Sequence, residues 1–142
     1  MKKITLIIFV AFLPIMAIAA YGLMAENYLL PEGKTLNENT YIVAGEAAVG
    51  GKINEDLTAV VGAIYLTGEV AGDATLLAGE VGVYGKIKND ARLAAGRITI
   101  GGDIGGDLAV GAGRVAILPK AKIGGEAIIG AGEAIISGSI DK

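Results

Sequence analysis

A chain of 142 residues with 23 glycines and neither cysteine nor histidine is sized for one domain and offers no thiol or imidazole chemistry. Its formal net charge is −3, and no basic cluster forms the stripe that nucleic-acid binding requires. Aromatic residues make up 5%, with no tryptophan, so any core is built from aliphatic side chains.

The chain opens with Lys2 and Lys3, followed by an uncharged stretch from Ile4 to Ala20 that includes Ala17-Ile18-Ala19. A positive start, an apolar run and a small-x-small site have the make-up of a secretory signal, cleaved or retained as a signal anchor over 1–22. That expectation places the remainder outside the cytoplasm or anchored at the membrane, in the cell envelope. Residues 23–35, with the apolar Leu29-Leu30-Pro31, read as a lead-in or cap.

From there the chain repeats. Gly45, Gly62, Gly79, Gly96 and Gly113 are 17 residues apart, and Asp56, Asp73, Asp90 and Asp107 keep the same step, with Asn39 one period earlier. Counting each unit from its first glycine, the third and fifth positions are aliphatic or Ala: Ile64 and Leu66, Val81 and Val83, Ile98 and Ile100. Such alternation is that of a strand with one buried face. The ninth position adds Ile53, Val70, Ile87 and Ile104, and the thirteenth and fifteenth continue the pattern. The seventh carries Gly51, Gly68, Gly85 and Gly102, with Pro119 expected to replace glycine in a unit two residues longer. Three short strand-like stretches sharing one interior, with glycines taking positive φ at the corners, predict an all-β parallel β-helix. It has a triangular cross-section and about six coils over 36–142, and the rule for parallel crossovers favours the right-handed form.

Chemistry has few places to reside. The spacing of aliphatic positions is similar to that of hexapeptide acyltransferases, but their histidine base has no counterpart here, so neither catalytic nor cofactor-binding residues are assigned. The aspartate column is the sharper candidate: stacked carboxylates on one edge could hold a cation such as Ca²⁺. The preferred reading makes Asp56, Asp73, Asp90 and Asp107 turn residues that accept backbone N–H bonds within their own corners, because the residues before them vary and supply no constant second ligand, so no metal-binding residues are assigned. At the eighth position Lys52, Glu69, Lys86, Asp103 and Lys120 alternate in sign, which favours one register of stacking over a slip by one coil. Tyr65 and Tyr84 face outward and, taken as isolated rings, give little support to a binding face.

The ends remain. A β-helix stops in an unpaired strand edge, which recruits another chain unless something covers it. Leu29 and Leu30 at one end, and Ile135, Ile136 and Ile140 at the other, are the expected contact residues; a continuation into further coils would also meet this edge.

The units Gly62-to-Ala78 and Gly96-to-Ala112, the Gly72-Asp73 pair, the Ile104-Gly105-Gly106-Asp107-Leu108 run and the Leu118-to-Glu126 stretch together resemble the bactofilins, or polymer-forming cytoskeletal proteins. The resemblance covers about residues 36–142. It implies a right-handed triangular β-helix that assembles end to end, without nucleotide, into filaments that scaffold envelope and cell-shape functions. The leader departs from the usual cytoplasmic members. The expectation is a non-enzymatic scaffold whose main partner is a second copy of itself, with membrane or cell-wall components beside it and no small-molecule substrate. The alternative is a monomeric surface β-helix that binds or adheres through its outer faces.

Overall fold

The computed structural model describes residues 25–142. The signal segment expected over 1–22 lies outside the described residues. In chain order the strands are β1 (Ala25–Leu30), β2 (Thr35–Leu36), β3 (Thr40–Val49), β4 (Lys52–Ile53), β5 (Leu57–Leu66), β6 (Glu69–Val70) and β7 (Ala74–Val83). They continue with β8 (Lys86–Ile87), β9 (Ala91–Ile100), β10 (Asp103–Ile104), β11 (Leu108–Ile117), β12 (Lys122–Ile123), β13 (Ala127–Ile136) and β14 (Ser139–Ile140). Long strands pair only with long, and short only with short, in two parallel seven-stranded sheets. This is a β-solenoid, and among the described residues no helix is long and apolar enough to cross a membrane.

The three expected strand stretches per coil are two. The thirteenth to seventeenth positions and the first to fifth run together as one ten-residue strand, as in Leu57–Leu66. The corner between them survives as a change of phase. In β9, Ala91 and Leu93 are buried, Gly96 and Arg97 both face out, and Ile98 and Ile100 are buried again. Two successive outward residues turn the chain, and the inter-coil ladder skips the Gly96–Gly113 pair and resumes in the same register.

β1 pairs in register with β3, Tyr28 opposite Ala47 and Leu30 opposite Val49. Residues from 25 onward that read as a lead-in therefore belong to a first coil, and the stack has seven turns rather than about six. That coil was hidden because its opening half lacks the glycine and because it is widened. Thr35 pairs with Lys52, so two more residues lie between Leu30 and Thr35 than between Val49 and Lys52. The same corner is widened again between Ile117 and Lys122. Both wide corners contain a proline, Pro31 and Pro119.

Register at the second wide corner corrects two assignments. Asp103 pairs with Lys122, so Lys122, not Lys120, continues the charge column. Gly138 packs against the carbonyl of Ala121, so Ala121, not Pro119, takes the seventh position there.

The core is one aliphatic column bundle. Val49, Leu66, Val83 and Ile100 stack at the fifth position with no exposure at all, and Ile53, Val70 and Ile87 do so at the ninth. Each side chain so buried contributes about 1.5–3 kcal/mol.

The glycine corners need a different explanation from the expected one. Among the described residues only Gly33, in the first wide corner, has a positive φ, at 88°. At Gly68, Gly85 and Gly102 the constraint is space: a Cβ would overlap the carbonyl oxygen of the equivalent residue one coil earlier. At these tight corners coil stacking brings backbone against backbone, and only glycine permits that approach, whereas the second wide corner carries Ala121 at the same position.

Candidate functional site

The aspartate column forms a side-chain-to-backbone ladder. Asn39 Oδ1 accepts the N–H of Asp56 at 3.1 Å, Asp56 Oδ1 that of Asp73 at 2.8 Å, and Asp73 Oδ1 that of Asp90 at 3.0 Å. Asp90 and Asp107 extend it to the N–H groups of Asp107 and Glu126, at 2.8 and 2.9 Å. The expected Asx turn would have closed within one corner; these bonds run between coils instead. The reason is local. At this corner the chain leaves one strand direction for another, and a carboxylate one coil away satisfies an N–H that the sheets do not reach. Among the described residues no group of three or more acidic side chains is placed to hold a metal ion.

Charges sort into pairs across coils. Glu69 Oε1 is closed off from solvent and meets the Lys88 ammonium at 3.1 Å. That contact draws the Glu69 carboxyl below its ordinary value, although desolvation opposes it. Arg114 Nε lies 3.1 Å from Glu133 Oε1 in the next coil, with both side chains more than half exposed. Tyr65 Oη donates to Glu80 Oε2 at 2.7 Å, and this bond, with some desolvation and nearby negative charge, pushes the phenol pKa up.

Tyr65 and Tyr84 are not isolated. A Cβ on the buried Gly82 would meet both rings, at 3.0 Å from Tyr65 and 2.7 Å from Tyr84. Gly101, one coil on, clears the other side, where Tyr84 and Leu118 each come to 3.1 Å of the position a Cβ would take. Tyr84 is thus seated over two glycines while 48% of its surface stays exposed. Beside it runs a groove of about 650 Å³ along the glycine corner, from the first wide corner at Glu32–Thr35 to Asp103. Sequence reasoning missed this groove. The available signal was the sixth position, the least regular of the corner: Gly50, Thr67, Tyr84, Gly101, Leu118.

The five expected contact residues divide by direction. Leu30, Ile136 and Ile140 stand in interior columns, at the fifth, fifth and ninth positions. Leu29 and Ile135 stand at the outward fourth position, exposed at 67% and 55%. Leu30 is buried, whereas Ile136 is 49% exposed although every column mate between them is buried. Among the described residues each sheet ends in two strands paired on one side only, β1 and β13 in one sheet and β2 and β14 in the other. The outward Ile128, 71% exposed, adds to the apolar surface of β13.

No family model, no curated protein and no solved structure matches the chain.

Proposed function

We propose that the protein is a non-enzymatic structural scaffold that self-assembles end to end at the cell envelope, in the manner of the bactofilins its repeats resemble. The observation that carries this reading is the interior column at β13, where, among the described residues, Ile136 stands half open beside a row of strand-edge N–H and C=O groups. A sheet edge of this kind is completed by another strand in the same register. A second copy offers one, because every coil presents the same column spacing. Exported or membrane-anchored placement follows from the apolar leader and belongs to the same proposal.

The test is negative-stain electron microscopy with sedimentation velocity on the full chain, with and without EDTA. Filaments that persist in the chelator support assembly through coil ends. Monodisperse monomers would remove this reading in favour of a surface binding module, which the convergence of Tyr65 and Tyr84 over Gly82 supports.

A further inference from the structure

The groove beside Tyr84 has three properties that together select a ligand. It is straight, because it follows one corner through successive coils; at about 4.8 Å per coil it is on the order of 20 Å long. It is charge-balanced, since Glu32, Lys34, Lys52, Glu69, Lys86 and Asp103 line it with three charges of each sign. Beyond the first wide corner its backbone donors are already engaged. The N–H groups of Thr67, Gly68, Glu69, Tyr84, Gly85 and Lys86 all donate to the preceding coil at 2.8–3.1 Å.

Each property removes a class of ligand. A polyanion or polycation meets as much repulsion as attraction along a row that alternates in sign. An extended peptide binds by adding a strand, and from Gly50 to Asp103 the N–H groups along this corner are already taken by the preceding coil. A neutral polyhydroxyl chain is suited to what is left. Each hydroxyl both donates and accepts, so one chain can satisfy ammonium and carboxylate groups in turn. Lys52, Lys86 and Asp103 make no ion pair with another described residue and are available for this. The C–H face of a sugar ring can lie on the half-exposed ring of Tyr84, whose π-face is negative and whose position is set by Gly82 and Gly101.

We propose that this corner groove is a binding site for an extended neutral glycan, with Tyr84 as its stacking platform and the Lys52–Glu69–Lys86–Asp103 row as its polar wall. The site lies on the flank of the solenoid, away from the β13 edge. It goes beyond the scaffold reading and does not depend on it.

Saturation-transfer difference NMR on the full chain tests this at any assembly size. The probes are cellohexaose and chitohexaose, with a blocked Gly-Ser hexapeptide and a heparin hexasaccharide as competitors. Transfer to the ring C–H protons of at least one neutral hexamer is expected, undisturbed by either competitor. Tyr84→Ala should weaken binding about tenfold, the scale of one aromatic contact. Tyr84→Phe should retain it, which separates loss of the ring from loss of the fold. No transfer to either neutral glycan, displacement by peptide or heparin fragment, or full affinity in Tyr84→Ala would each overturn the assignment.

Discussion

Asp56 Oδ1 accepts the backbone N–H of Asp73 at 2.8 Å, across one full coil, and Asp73 repeats the act toward Asp90 at 3.0 Å. The ladder ties consecutive turns beside backbone bonds such as that from Leu57 N–H to the Asp73 carbonyl at 2.9 Å. Asn39 does the same without a charge at the first rung, which shows that an amide oxygen suffices.

Asp73→Ala leaves the Asp90 N–H without its acceptor and is expected to cost about 1–3 kcal/mol by urea denaturation. Asp73→Asn keeps an acceptor and removes one of a row of like charges, so a change within about 0.5 kcal/mol is expected. Equal losses in both variants would show that charge, and not the hydrogen bond, is what the fold uses.

Because each Asp Oδ1 is engaged by a backbone N–H, the melting temperature should be the same in calcium and in EDTA. A calcium-dependent rise, abolished in Asp73→Asn, would return the column to the metal-binding reading.

Two glycines should respond oppositely to alanine. At Gly85 the new Cβ would overlap the Gly68 carbonyl, a backbone atom that cannot move aside. Thermal denaturation of Gly85→Ala should show a loss of about 3 kcal/mol or failure to fold. Gly111 has nothing within 4 Å of its Cβ position and no positive φ, so Gly111→Ala should be neutral or stabilising by up to about 1 kcal/mol. Similar losses at both sites would mean that the close backbone approach is not what selects glycine at Gly85.

The Tyr65–Glu80 bond favours the neutral phenol, so the folded-state pKa lies above 10.0. Its contribution is fully present below pH 10.0 and is lost as pH rises through the raised value. Glu80→Gln should bring the tyrosinate absorbance transition of Tyr65 back toward 10.0. On the acid side the sign reverses. The lowered Glu69 carboxyl supports folding above pH 4.5 and loses that support as pH falls through its folded value. Lys88→Met should flatten that limb; an unchanged acid limb would show that the pair is too exposed to matter.

Ile136→Glu places a charge in the open interior column without disturbing a covered one. Sedimentation velocity should show assembly lost while the thermal melt of the stack is retained. Filaments of normal length would move the contact away from this edge.

Much of this architecture is legible in the sequence because the repeat is short and strict. Ile64 and Leu66, or Ile98 and Ile100, report a buried strand face directly, and the aspartates fix the period. Other features depend on what lies one coil away, which a linear reading does not weigh. Gly68 looks like a turn residue until the Gly51 carbonyl is seen against it. Tyr65 and Tyr84 are 19 positions apart and look unrelated until Gly82 lets their rings converge. The first coil escaped because Glu26 stands where a glycine would mark it, opposite Gly45.

The two wide corners carry a further consequence. A ladder of near-identical rungs is almost degenerate under translation: sliding every rung by one preserves most interior matches. The alternating charges weigh against such a shift but leave the aliphatic columns nearly indifferent. Pro31 and Pro119 mark the ends of a run of tight corners, and a shifted alignment would seat a wide corner where only a tight one fits. They act as index marks on an otherwise featureless scale, and they allow a molecule built by repetition to have a single zero point.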